Sequence, residues 1–282
     1  MTRHAFTNGF SLALQTIRSH KLRAFLTVLG VIVGTGTIIG VGAILTGFDS
    51  SIASILRSFG PNSIIVFKFP VGFRVTELTP EERTRKNLTY ENAVHIKERC
   101  KSVQDVSPML FPNRELINVH YKGNEMYDVD VFGVEEAYAR GGQADMHAGR
   151  FFSDEESRHR APVAVLGADV EKGLFSNIDA IGKIISVDGH EFEVIGAMNR
   201  PAASFFGDQD KRILLPYGML RKMYPSAKEN ALVVTARQGK LPEALDEVRT
   251  VLRIDRRVPY SKPDDFALST AEQMIATATN SA

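Results

Sequence analysis

The chain has 282 residues, 44% of them hydrophobic and 24% charged, with a mean hydropathy of −0.10 and a formal net charge of +1. That balance, with 9% aromatic residues, excludes a disordered chain, and the single cysteine, Cys100, excludes an internal disulfide and a cysteine-based zinc site. The charge is unevenly spread. Residues 1–23 hold four of the 34 basic residues (Arg3, Arg18, Lys21, Arg23) and no acid, residues 24–48 hold no charge, and 49–282 hold the remaining 30 against all 33 acids. The outer part is therefore net acidic, which removes the electrostatic basis for a nucleic-acid partner.

Phe6, Phe10, Leu14 and Ile17 recur at helical spacing in residues 1–23. The pattern predicts a short amphipathic helix lying on a membrane surface or against a partner. Residues 24–48 follow as 25 uncharged positions, about 37 Å of helix, enough to cross a hydrocarbon core of about 30 Å. Three roles are open to this segment. A membrane anchor fits its length. A cleavable signal peptide is offered by Val41-Gly42-Ala43, but the 23 preceding residues are too many and the apolar run is too long. A dinucleotide loop is imitated by Gly34, Gly36 and Gly40, but the nearest acid is Asp49, with no second strand before it. The anchor is the expectation. Gly36, Gly40, Ala43 and Gly47 fall on one helix face, and Gly30 and Gly34 form a second pair. Such rows let another membrane helix approach closely, although glycine is also common in membrane helices generally. Arg18, Lys21 and Arg23 precede the span and Asp49 follows it, so the positive-inside rule places the N-terminus in the cytoplasm and 49–282 outside.

Beyond the span, Ile52, Ile55, Leu56 and Phe59 keep helical spacing up to Gly60-Pro61, predicting one long helix over 24–59 whose outer part, 49–60, is a stalk. Ser63–Phe67 reads as a strand, and 76–87 as a polar loop. A helix begins at Leu88-Thr89 with Thr89 as cap and runs to about Lys101, with Ala93, Ile96 and Cys100 inward. Strands are expected at 106–109, 116–121, 127–132, 163–166, 183–187, 192–195, 213–216 and 231–236. Asp188-Gly189 is the strongest hairpin signal. Helices are expected at 169–175 and 241–254, the latter with Leu241, Leu245, Val248 and Leu252 in a stripe. The outer body is α+β, with two lobes.

A search for chemistry finds none of the motifs for phosphate loops, nucleophile elbows, zincins or paired C-x-x-C. No catalytic, cofactor-binding or metal-ligating residue is singled out. The seven histidines are scattered, and His147 and His159 read as solvated. Asp154-Glu155-Glu156 reads as a helix N-terminus capped by Ser153, and Asp208, Asp210, Lys211 and Arg212 as a solvated loop.

The stretch His20–Gly34 resembles the start of an ABC transporter permease of the MacB/FtsX type, the type VII class. The resemblance continues through Phe59-Gly-Pro-Asn62, Leu88-Thr89 with Ala93, Val103–Pro108 and Gly149-Arg-Phe-Phe-Ser-Asp154. It is densest at Pro162–Gly167, Leu174-Phe175, Ile181–Lys183 and Phe192–Gly196, and ends with Leu214–Pro216 and Asp264–Phe266. It implies a porter-like α/β lobe from 61–115 and 213–268 with a β-rich lobe, 116–212, inserted between them, and 269–282 leading toward a second membrane helix. It further implies an inner-membrane location, a dimer with a second permease copy, and a separate ABC-type ATPase carrying the ATP. The ATPase's motion would reach the external domain by mechanotransmission, in some members with a periplasmic adaptor and an outer-membrane channel. On this pattern the sequence is expected to be a permease fragment without the later membrane helices and without catalytic function of its own. A singly anchored extracytoplasmic binding domain, with no ATPase, is the alternative.

Overall fold

The computed structural model describes residues 21–22, 25–37, 62–69, 84–114, 116–176, 178–200, 210–270 and 273. The chain divides into a unit of residues 1–51 and a unit of residues 52–282. In the first, residues 25–37 are helical. Phe25, Leu26, Val28, Leu29, Val31, Ile32 and Val33 all lie on its exposed surface. The hydroxyls of Thr35 and Thr37 donate back to the carbonyls of Val31 and Val33, both at 2.7 Å, so these polar groups need no water. Among the described residues no helix is long and apolar enough to cross a membrane. Residues 38–48 of the expected span, the stalk at 49–60 and the N-terminal amphipathic segment lie outside the described residues.

The second unit opens with β1 (Ser63–Phe67), α1 (Tyr90–Arg99) and β2 (Val103–Phe111). The cap of α1 is the one expected: the Thr89 hydroxyl accepts from Asn92 N–H, while the Asn92 side chain accepts from Thr89 N–H. Next come β3 (Ile117–Tyr121), β4 (Asn124–Val134), α2 (Ala137–Arg140), β5 (Met146–Gly149), α3 (Asp154–Arg158) and β6 (Val163–Leu166). Then follow α4 (Ala168–Phe175), β7 (Ile184–Val187), β8 (His190–Met198), β9 (Arg212–Pro216) and α5 (Tyr217–Met223). The chain continues through β10 (Glu229–Ala236), α6 (Leu241–Asp255) and β11 (Ala267–Thr270). Asp188 and Gly189 join β7 to β8 with both φ angles positive, 48° and 81°, the conformation that a two-residue hairpin turn requires.

The strands form two arrays. β11, β1, β10 and β2 lie side by side, all antiparallel. One face of this array packs under α1 and α6, where Ile64, Val66, Ile96, Leu232, Val234, Val248 and Leu252 share a core with Cys100. The six strands β4-β3-β7-β8-β6-β9 close on themselves, because β9 also pairs in parallel with β4, at Val131↔Ile213 and Phe132↔Leu214. Alternate residues such as Val119, Val131, Ala164, Ile185, Val194 and Ile213 form its core with Val170 and Leu174 of α4. Their sequence neighbours Phe132, Val165 and Leu214 point the opposite way and pack with Met109, Ala231 and Val233 of the four-stranded array. Between the arrays the backbone ladder narrows to one pair, Leu110↔Gly133. β9, at the start of the segment expected to rejoin the porter-like lobe at 213, thus closes the barrel.

One expectation is corrected. Asp210 and Arg212 do not lie in a solvated loop: Asp210 is 1% exposed and its carboxylate takes Arg212 Nε at 2.5 Å and Ala168 N–H at 3.0 Å. α4 begins at Gly167, which has no side chain to cap it, so Asp210 does so from another part of the chain. Gly167 itself leaves the room, since a Cβ there would stand 2.9 Å from the Asp210 carboxylate. Asp208 lies outside the described residues.

Candidate functional site

Gly30, Gly34 and Gly36 sit in the exposed helix with nothing within 4 Å of the position a Cβ would take, and Lys21 is exposed beside them in sequence. Gly40, Ala43, Gly47, Arg18 and Arg23 lie outside the described residues. The polar positions weighed in the sequence have local partners. His147, on β5, meets Glu171 at 3.1 Å, and His159 at the end of α3 approaches the Glu155 carbonyl at 2.9 Å. Ser153 caps α3 in a capping box with Glu156. Among the described residues no three His, Cys, Asp or Glu side chains converge as a metal site would need.

The structure brings together a different set of residues. A cleft of about 590 Å³ lies where the N-terminus of α1 meets α3 and α5. Tyr90 and Tyr217 contribute two rings with centroids 5.1 Å apart. Tyr90 donates its hydroxyl to Glu135 at 2.9 Å, and Tyr217 donates to the buried Asn230, which in turn donates to the Leu88 carbonyl at 3.0 Å. Burial pushes the Tyr90 hydroxyl up to about 12, assisted by the neighbouring Glu135 charge, and burial does the same to Tyr217. Burial also raises Glu135, against the opposing effect of the Tyr90 hydrogen bond. Arg158, Arg160, Arg221 and Lys222 line the cleft as well. Asp154 also lines the cleft, and of the lining residues it alone was weighed in the sequence. The lining residues come from α1, α3, α5 and the segments beside them, widely separated in sequence, and no local spacing relates them.

A second cluster ties the segments before α1 and before β11 to the end of α6. The nearly buried Arg256 guanidinium donates to the Asp265 carboxylate and to the carbonyls of Lys86 and Asn87, at 3.2 Å or less. The segment leading into α1 and the segment leading into β11 are thereby held to the end of α6. Arg253 adds a hydrogen bond to the Pro259 carbonyl at 2.8 Å and an ion pair to Asp264.

A four-stranded antiparallel array under two helices is connected to a small closed barrel, and an exposed apolar helix precedes both in sequence. The family of MacB-like periplasmic core domains matches residues 24–251, and the chain belongs to that family. The macrolide export ATP-binding/permease protein MacB of Bdellovibrio bacteriovorus is 30% identical over 253 residues, which cover 89% of this chain and 38% of that protein. The protein of the same name from Chlorobaculum tepidum is 28% identical over 277 residues, covering 95% and 41%. The chain thus spans about two fifths of the length of these curated relatives. The fold is similar to that of the periplasmic region of MacB from Actinobacillus actinomycetemcomitans, with a TM-score of 0.63 at 18% identity over 80% of this chain and 96% of the other. It is also similar to the extracellular domain of the noncanonic ABC-type transporter YknZ from Gram-positive bacteria, with a TM-score of 0.54 at 17% identity over 74% and 100%.

Proposed function

We propose that this chain is the outer domain and first membrane helix of an ABC-type export permease, passing ATP-driven motion from a separate ATPase to the outside of the cell membrane. The observation that carries this reading is the helix at 25–37, with its large apolar side chains uncovered and its threonine hydroxyls satisfied internally, inside the family match that begins at residue 24. Its N-terminus is cytoplasmic, marked by Arg18, Lys21 and Arg23, and the body from residue 49 is extracytoplasmic. Gly30, Gly34, Gly36, Gly40, Ala43 and Gly47 pack against other membrane helices of a dimeric permease. The four-stranded array with α1 and α6 is the porter-like lobe and the barrel, which takes β9, the inserted lobe; each has a core of its own beside a third that the two share. A periplasmic adaptor and an outer-membrane channel complete the route in an envelope with two membranes.

In this role no single side chain of the outer domain works as a catalytic group; stiffness and attachment matter instead. A flexible Gly/Ser linker inserted at Gly60-Pro61, in a full-length permease with its ATPase, behaves as a random coil and cannot pass on a displacement smaller than its own fluctuation. ATP hydrolysis and membrane insertion should survive while export falls steeply, whereas Asp154→Ala and His147→Ala should leave export nearly intact. Full export with the linker in place would refute the relay.

A further inference from the structure

The cleft between α1, α3 and α5 is lined by four cationic side chains and two carboxylates. Of its two carboxylates, Glu135 is engaged by the Tyr90 hydroxyl and Asp154 by Arg158 one helical turn away. Arg160, Arg221 and Lys222 are left over: among the described residues, none of the three forms an ion pair. They gather in a body whose sequence is net acidic from residue 49 onward. Arg221 is close enough to Glu91, on the first turn of α1, to help lower that carboxyl's pKa, an effect smaller than those of the hydrogen bonds Glu91 receives.

The position of Arg160 is set by the backbone. It follows α3 with φ at +54°, the left-handed region that a residue with a side chain adopts only when its surroundings hold it there. Its stem lies on Gly218 of α5, where a Cβ would come within 3.1 Å of Arg160 Cγ. The side chain thus reaches from the end of α3 to α5, and it shares the cleft lining with Arg221 and Lys222. Beside these cations the paired rings of Tyr90 and Tyr217 are anchored through their hydroxyls, so the ring pair is fixed before anything binds. A volume of about 590 Å³ falls within the range of small-molecule sites.

We propose that this cleft binds a small amphipathic anion, with an oxyanion group held by Arg160, Arg221 and Lys222 and a ring or comparable flat apolar part against Tyr90 and Tyr217. Guanidinium forks match phosphate and carboxylate alike. The site is lined from α1, which packs on the four-stranded array, and from α3 and α5, which pack against β9 of the barrel. This proposal does not depend on the relay.

The test is calorimetric titration of the full chain in a non-ionic detergent at low salt with phenyl phosphate, benzoate, inorganic phosphate and benzylamine. Phenyl phosphate or benzoate should bind at one site per chain, and whichever is tighter names the headgroup. Inorganic phosphate should bind about tenfold more weakly than phenyl phosphate, as expected for losing the burial of a ring. Benzylamine should not bind. The double variant Arg160→Gln, Arg221→Gln should weaken the tighter aromatic anion at least about tenfold. Binding of neither aromatic anion, equal binding of benzylamine, or an unchanged affinity in the double variant would overturn the proposal. If the double variant does not melt cooperatively, Lys222→Gln on the exposed face of α5 takes its place: a loss of about threefold supports the site and wild-type affinity overturns it.

Discussion

Arg256 and Asp265 form a two-pronged ion pair, Nε to Oδ1 at 2.7 Å and Nη2 to Oδ2 at 2.9 Å, with the arginine side chain only 5% exposed. The same guanidinium also holds two backbone carbonyls, those of Lys86 and Asn87. An ammonium group cannot reproduce this fork. Arg256→Ala should lower unfolding stability by about 2 kcal/mol, as expected for losing charge-assisted hydrogen bonds to a partly exposed carboxylate and two carbonyls, and Arg256→Lys should recover less than half of the loss. Urea denaturation of the three proteins measures both.

The pair Asp210–Arg212 makes a different prediction, because both members are inside. Asp210→Ala removes the α4 cap and strands a buried guanidinium, for an expected loss of about 3–5 kcal/mol. The double variant Asp210→Ala, Arg212→Met should be more stable than the single one, since it removes the unpaired charge. A double variant as unstable as the single would show that the cap, not the charge, dominates.

Gly133 on β4 is needed for the close approach of α5. A Cβ there would stand 2.8 Å from Leu220 Cβ and 3.3 Å from Tyr217 Cα. Gly133→Ala should therefore cost about 1–3 kcal/mol through overpacking. Gly123→Ala, where no atom lies within 4 Å of the new methyl group, should be close to neutral. Thermal melting of the two variants distinguishes this steric account from a general intolerance of glycine replacement.

Glu156 supplies a pH signature. The two-pronged Arg150 interaction lowers its carboxyl from 4.5 to about 2, with further help from the Ser153 backbone N–H. A depressed folded-state pKa gives stability that is present above 4.5 and lost as pH falls toward about 2. The stability difference between wild type and Glu156→Gln should therefore be flat at neutral pH and shrink through that window. A difference that persists undiminished to pH 2 would contradict the assignment.

Local signals in the sequence were legible where one segment decided its own conformation. Thr89 caps a helix, Asp188-Gly189 turns a hairpin, and the stripe Val248 and Leu252 buries one side of α6. What escaped was either too short to show a period or decided at a distance. β5 and β11 have four residues each and, unlike the equally short β6, no continuous apolar run to mark them. α5 starts directly at the end of β9 and includes Gly218, so neither a break nor a clean helical pattern marks it. Asp210 looks like any loop acid until the partners it meets, Ala168 and Arg212, are placed around it. Barrel closure depends on β4 finding β9 about 80 positions later, which no window along the chain reveals. The cleft is of the same kind: Tyr90, Arg160 and Arg221 become neighbours only after the sheets are assembled.

The burial of Cys100 has a practical consequence. Burial first, and then the negative charge of Glu247, pushes its thiol up to about 11. At neutral pH hardly one molecule in about ten thousand carries the thiolate that alkylating reagents and oxidants attack. The one cysteine of this sequence is thus slow to react. Exposed cysteines placed on the two arrays, on either side of the single ladder pair Leu110↔Gly133, would take a label or cross-link far faster than Cys100. Any change of distance between the two strand arrays could then be followed in the otherwise unaltered sequence.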